Sequence, residues 1–301
     1  MSEKTVFTAI TGRPNAGKSS LLNLLVREKI AIVSDKPQTT RTRITGILTE
    51  GEMQYVFIDT PGIHKSRNKL SSHMNKAVRE AVSGIDAVVY MIDCTRGIHD
   101  IDRQTLDSYS KKEIPVILVI NKIDLLEDKA SLAPLLSELS EVCSFFSVIP
   151  MSVKKKDGAD ILLKDIAAFA KDEPHYFPDD KVTSQPEKAI MAEMIREKLL
   201  MLLHDEIPHG IAVVIESLEE KVSRSGEDIL DIAAVIYCER ESHKGIVIGK
   251  GGEMLRRVGE LARRDLESFF RIKVNLKTWV KVRDGWRNDE NRIADMGLSD
   301  S

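Results

Sequence analysis

From residue 5 to about 171, short apolar runs alternate with stretches in which apolar residues recur every three or four positions. Such alternation predicts a mostly parallel sheet with helices on both faces, because buried strands read as continuous apolar runs and packed helices as a 3.6-residue stripe. The runs predict strands at about 5–11, 44–50, 54–59, 87–93, 116–121 and 147–151, and helices at about 18–27, 70–83, 100–112, 131–143 and 159–171. Only the second and third strands are close enough to form a hairpin, turning at Glu50-Gly51-Glu52. After Lys171 the text becomes DEPHYFPDDKVTSQPEK, rich in Pro, Asp and Ser and without period. That composition predicts a linker over 173–186, dividing a domain at 1–172 from one at 187–301.

The second half reads helix, strand, strand, helix, strand. Met191, Ile195, Leu199, Leu202 and Leu203 fall at helical spacing in 187–204, and residues 211–217 and 229–239 are strand-like. Residues 252–270 return to a helical stripe through Val258, Ala262 and Leu266. The last strand alternates: Val274, Leu276, Thr278, Val280 and Val282 face one way, and Lys273, Asn275, Lys277, Trp279, Lys281 and Arg283 the other. Trp279 has two readings, a stacking platform for a base or a packing residue against the C-terminal segment or Trp286. The polar tail after Trp286 is expected to fray or fold back as a short helix.

Composition changes this picture little. With 301 residues, 42% apolar and 30% charged, the chain has the make-up of a soluble globular protein of about two domains. Cys94, Cys143 and Cys238 are scattered, so neither a disulfide framework nor a zinc site is expected and a reducing cytoplasm fits. The N-terminal apolar run is too short for a signal peptide, and no window approaches a membrane span. The net charge of −3 hides a local contrast: residues 240–287 hold 13 Lys/Arg against 6 Asp/Glu.

The candidate chemistry begins at GRPNAGKS, Gly12 to Ser19, where the first strand passes into the first helix. Glycines let backbone wrap a phosphate there, and the helix N–H groups point at it, so Gly12, Asn15, Ala16, Gly17 and Ser20 are expected around the phosphates. Lys18 would reach the β- and γ-phosphates and Ser19 would offer its hydroxyl to Mg²⁺. Three further groups fall at ends of predicted strands, where open α/β sheets bind ligands. In Asp59-Thr60-Pro61-Gly62, Asp59 can hold Mg²⁺ through water and Gly62 can put an N–H on the γ-phosphate. In Asn121-Lys122-Ile123-Asp124, a carboxylate at 124 can accept two hydrogen bonds from guanine that adenine cannot donate, and the Lys122 stem can lie along the ring. Ser152 and Val153 can present backbone N–H groups to the base oxygen. Thr40, with Thr39 as the alternative, would complete the Mg²⁺ shell, making 28–43 and 60–73 candidate switches.

GRPNAGKS, QTTR, DTPG, NKID and SV together resemble, in order and spacing, the five motifs of the translation-factor-related GTPases. The resemblance implies GTP hydrolysis with Lys18, Thr40 and Gly62 at the reacting phosphate. Ile63 departs from it, standing where Ras-like members carry the glutamine that orients water, which implies a slow intrinsic rate. Val153 replaces a more usual Ala at a position expected to act through backbone.

In the second half, Gly249-Lys250-Gly251-Gly252 precedes a basic helix. A G-x-x-G loop there is how KH modules clamp single-stranded nucleic acid, and Arg256, Arg257, Arg263 and Arg264 lie off the apolar stripe, free to face phosphate. The whole chain, including VIGKGG, ARRDLE and LKTWVKVRDGW, resembles the bacterial Era GTPase family. The resemblance implies a P-loop GTPase domain with a mostly parallel six-stranded sheet followed by an α+β KH type II domain. It also implies binding near the 3′ end of 16S rRNA, a role in 30S assembly, and a minor pool lying peripherally on the inner membrane; a monomer is expected, and no DNA partner. Two rivals to a GTP-driven switch are a constitutive RNA-binding protein with a structural nucleotide, and an ATP-using enzyme.

Overall fold

In chain order the first half runs β1 (Lys4–Gly12), α1 (Lys18–Val26), β2 (Ile44–Glu50), β3 (Met53–Asp59), α2 (Lys69–Ala81), β4 (Ala87–Asp93), α3 (Asp100–Lys111), β5 (Val116–Asn121), α4 (Leu132–Ser140), β6 (Ser147–Pro150) and α5 (Ala159–Ala167). The sheet order is β2-β3-β1-β4-β5-β6, with β2–β3 antiparallel and every other pair parallel. Every residue of β4 and β5 is buried, as expected of strands covered on both faces. Asp59, Asp93 and Asn121 end their strands on the same side of the sheet as Gly12, with Ile10 opposite Asp59 and Asp93 opposite Asn121.

This computed structural model describes residues 2–36, 39–63, 68–204, 207–222 and 226–298. Two compact units are present: one holds the sheet as far as Ser184, and the other holds Ile32–Thr39, the start of α2 to His73 and everything from Gln185. Helix α5 stops short of the predicted end because Lys171 forms an antiparallel bridge with Thr5. The stretch expected as a linker then runs along the first unit: buried Gln54 accepts hydrogen bonds from Tyr176 N and Phe177 N, and Ile47 N donates to Val182 O at 2.9 Å.

The second unit contains α6 (Glu187–Leu202), β7 (Ile211–Val222), β8 (Asp228–Cys238), α7 (Glu241–Ile248), α8 (Glu253–Phe270), β9 (Lys273–Val282) and α9 (Glu290–Asp295). Its sheet runs β7-β8-β9, antiparallel then parallel. Ile232, Ala234, Ile236 and Cys238 form a core with Met191 and Ile195 of α6 and Val258, Ala262 and Leu266 of α8. Helix α7 is an addition to the expected order of elements; it is short and carries Gly245, so its period is hard to see. The tail does fold back as α9, whose Asp289 side chain caps it at Asn291 N and Arg292 N.

Trp286, not Trp279, is the packed tryptophan. It is fully buried and its Nε1 donates to Gly210 O at 3.0 Å, whereas Trp279 is 47% exposed, so the packing reading of Trp279 fails. Among the described residues, no helix is long and apolar enough to cross a membrane.

Candidate active site and nucleic-acid interface

The phosphate loop is shaped by backbone no other residue type accommodates. Gly17 has φ of +105°, and a Cβ there would sit 2.3 Å from Asn121 Nδ2. No side chain caps α1, so its leading N–H groups face the loop. Lys18, buried, folds its Nζ back onto Gly12 O at 3.1 Å and Arg13 O at 3.0 Å. Gly12 O also accepts from Ile63 N at 3.2 Å, and Gly62 packs on Pro14 so closely that an added Cβ would lie 2.7 Å from its ring. Asn15 takes a positive φ in the same loop, and Ser20 continues α1.

Three oxygens converge beside it. Ser19 Oγ donates to Asp59 Oδ2 at 2.6 Å and lies 2.8 Å from Thr40 Oγ1. Thr39 instead turns its hydroxyl to Lys36 O at 2.6 Å, so the geometry favours Thr40 over Thr39. Asp59 Oδ1 is buried without a hydrogen-bond partner, which suits a cation-bound water, and an all-oxygen donor set suits Mg²⁺. Burial drives the two charged neighbours toward neutrality: Lys18 falls to about 8, with Asp59 pulling it back, and Asp59 rises to about 6 against the opposing pull of Lys18 and Ser19. Bound cation and phosphate charge would relieve both.

The base-side residues brace one another. Asn121 Nδ2 donates to Ala16 O at 2.8 Å, and its Oδ1 accepts from Val153 N at 3.1 Å. The Val153 N–H, expected to face the base oxygen, is therefore engaged by Asn121, because the loop after β6 folds back over the end of β5. Ser152 Oγ donates to Asp124 Oδ1 at 2.5 Å, a bond that lowers the carboxyl's pKa. Lys122 has φ of +70° and its Nζ sits 2.6 Å from Asp93 Oδ2.

Sequence reasoning missed two supports. Asp93 could have been found by its place at a strand end, the signal that found Asp59 and Asn121. Arg13, inside the loop, pairs through Nε with fully buried Asp102 at 2.8 Å, and Tyr90 Oη donates to the same carboxylate at 2.7 Å. No local motif marks that network, because its partners lie on β4 and α3.

Of the candidate switches, residues 37, 38 and 64–67 lie outside the described residues. Ile32–Thr39 belongs to the second unit, where Val33 N donates to Glu197 Oε1 at 3.0 Å, Arg196 donates to Thr39 O and Lys36 to Leu203 O. Arg196, Glu197 and Lys198 are consecutive and all buried, and Lys198 Nζ bridges Glu197 and Asp265 of α8 at 2.8 and 2.5 Å.

The G-x-x-G loop joins α7 to α8. Gly249 has φ of +73°, and a Cβ there would meet Met254 Cβ at 2.7 Å; Gly251 and Gly252 have open space where a side chain would stand, leaving backbone accessible. Lys250 and Arg256, Arg257, Arg263 and Arg264 are all exposed. A groove of about 390 Å³ runs between α8 and β9, lined by Gly252, Leu255, Arg256, Arg263, Leu276 and Thr278 among others. Arg256 and Arg263 thus face the groove, while Arg257 and Arg264 do not line it. Two basic residues on the opposite face of β9 are partly neutralised, Lys281 by Glu216 at 3.0 Å and Lys277 by Asp231 at 3.8 Å.

Fold and sites define a P-loop GTPase joined to a KH module. The family model described as 50S ribosome-binding GTPase matches residues 7–122, and the KH domain model matches 206–287. The GTPase Era of Clostridioides difficile is 46% identical over 297 residues, covering 99% of each chain. A crystal structure of Era with MgGDPNP and nucleotides 1506–1542 of 16S ribosomal RNA superposes with a TM-score of 0.93 at 35% identity, covering 99% of both chains. A single-substitution variant of Aquifex aeolicus Era bound to GDP·AlF4⁻ gives 0.93 at 34%, covering 99% of this chain and 100% of that one. The chain belongs to the Era family of GTPases. It is a GTPase whose cofactors are GTP or GDP with Mg²⁺.

Proposed function

We propose that this chain is a GTP-gated switch that binds the 3′ end of 16S rRNA and serves 30S subunit assembly. Its GTPase domain spans 1–172 and its KH domain with tail 187–301, joined by 173–186. Backbone from Gly12 to Ser20 cradles the phosphates with Lys18. Ser19 and Thr40 ligate Mg²⁺ directly and Asp59 does so through water; the ion, when bound, neutralises charge on the β- and γ-phosphates. Gly62 gives its N–H to the γ-phosphate, Asp124 selects guanine, and Lys122 covers the ring. Asn121, Ser152 and Val153 hold those groups in place.

Ile63 offers no hydrogen bond to the attacking water, so intrinsic hydrolysis is slow. RNA backbone lies against Gly249–Gly252, with Arg256 and Arg263 lining its path and Arg257 and Arg264 adding long-range attraction. The protein works as a monomer in the cytoplasm, with a peripheral pool on the inner membrane, and does not use DNA; for these points the support is the family resemblance alone.

The observation that carries the reading is the placement of one stretch of chain: Thr40 closes on Ser19 in the first unit, while Ile32–Thr39, directly before it, packs within the second. Thr40 is joined directly along the chain to a segment belonging to the RNA-binding unit, and that continuity is the proposed route by which the nucleotide is read. Anisotropy titration with an oligonucleotide of the 16S 3′ end against one of scrambled sequence tests the RNA assignment. Equal affinity for both would reject it.

A further inference from the structure

Lys122 is held at both ends, and the group that holds its far end belongs to no guanine-nucleotide motif. Its backbone, at φ of +70°, follows Asn121 at the end of β5, and its ammonium lies 2.6 Å from Asp93 Oδ2 at the end of β4. The two strand ends are locked: Asp93 stands opposite Asn121, and Cys94 N donates to Asn121 O at 3.1 Å. Asp93 itself cannot swing away. Its other oxygen, Oδ1, accepts from Thr95 N at 3.0 Å and Thr95 Oγ1 at 2.6 Å. Arg96 Nε adds positive charge 3.6 Å from Oδ2. The Asp93 side chain is 4% exposed against 32% for Lys122, so a fixed, buried carboxylate tethers a half-buried ammonium.

We infer that Asp93 is a positioning residue for nucleotide binding, which anchors the Lys122 ammonium so that the stem stands as a preformed wall beside the guanine ring. The inference rests on the proposed role of Lys122 at the ring. A free lysine samples many rotamers, and fixing it on binding opposes affinity; a lysine already fixed removes that cost. The wall is the same for GDP and GTP and lies away from the reacting phosphate. Its loss is therefore uniform-binding loss, seen in KM and nucleotide release and not in kcat. Base choice stays with Asp124.

The experiment uses full-length Asp93→Asn, Asp93→Glu, Lys122→Ala, Lys122→Met and the Asp93→Asn/Lys122→Ala double variant, each measured for KM, kcat and the release rate of a fluorescent GDP. Asp93→Asn is expected to raise KM and release about tenfold with kcat within about twofold, and Asp93→Glu to recover part of the loss. In the Lys122→Ala background the Asp93→Asn effect should vanish, since both act through one contact. Lys122→Met keeps the stem, removes the anchored charge and leaves Asp93 in place, so it is expected to match Asp93→Asn even if that variant folds poorly. An undiminished Asp93→Asn effect in the Lys122→Ala background, or parent-like binding by Lys122→Met, overturns the inference. Parent-like GDP binding by Lys122→Ala overturns the reading of Lys122 on which it rests.

Discussion

Ser152 Oγ donates a 2.5 Å hydrogen bond to Asp124 Oδ1, tying the loop after β6 to the carboxylate that is proposed to read guanine. The bond fixes one oxygen and keeps the group ionised, leaving an oriented acceptor for the paired N–H donors of the base. Asp124→Asn should cost two charge-assisted hydrogen bonds, weakening GTP about a hundredfold or more and moving preference toward xanthosine triphosphate, whose C2 oxygen accepts from the new amide. Competition binding with the two nucleotides checks the inversion. Ser152→Ala, which only unfastens the carboxylate, should weaken GTP severalfold without changing base preference.

Ser19 and Asp59 share a 2.6 Å bond within the proposed Mg²⁺ shell. Asp59→Asn or Ser19→Ala should lower kcat by about a hundredfold or more, and chelation of Mg²⁺ should do the same to the parent chain. Single-turnover hydrolysis across a Mg²⁺ titration reads both effects. RNA binding by the nucleotide-free chain should be untouched.

Removal of charge at the G-x-x-G end should be graded by position. Lys250→Ala and Arg256→Ala should each weaken RNA binding and reduce the slope of log Kd on log salt by up to about one. Arg257→Ala and Arg264→Ala, whose side chains do not line the groove, should have smaller effects on affinity at physiological salt. Titrations at several salt concentrations separate the two pairs.

His175 fastens the 173–186 stretch, with Nδ1 2.7 Å from Asp179 Oδ1 and Nε2 3.1 Å from Glu52 O. Both partners are acceptors, so only the doubly protonated ring satisfies both. Desolvation works against the charge, but the Asp179 and Glu52 hydrogen bonds outweigh it and the pKa is raised above 6.5. A raised native value means the stabilisation is complete below the unfolded value and lost as pH rises through the folded one. The stability margin of the parent over His175→Ala should therefore be larger at about pH 6 than at about pH 9, by no more than about 1 kcal/mol because Asp179 stands in solvent, and thermal melts of both proteins at the two pH values read it.

The six strands of the first unit and the order of the three in the second were legible because each is a continuous or alternating apolar run, and the sheet forms where those runs demand burial. The candidate nucleotide residues could be named from sequence because they stand in short motifs where β1, β3, β5 and β6 end, and the fold brings those strand ends to one edge of the sheet. Helix α7 escaped because eight residues with a glycine carry too little period. Asp102 and Tyr90 escaped for another reason: Asp102 reaches Arg13 from α3 and Tyr90 reaches Asp102 from β4, and only the tertiary packing of those elements brings them together. Local sequence does not tell which of Trp279 and Trp286 is packed, because both stand among polar residues. Burial of Trp286 depends on Gly210, 76 residues away, whose carbonyl receives its indole N–H.

Whether nucleotide state sets RNA affinity is read by titrating full-length protein with a 16S 3′-end oligonucleotide in GDP and in a non-hydrolysable GTP analogue, each with Mg²⁺. A nucleotide-gated switch binds the oligonucleotide more tightly with the analogue by at least about fivefold, the scale of an ordinary coupling between two sites. The difference disappears in Lys18→Ala, which cannot hold the γ-phosphate. The same Kd with GDP and with the analogue would contradict the switch and leave a constitutive RNA-binding protein in its place.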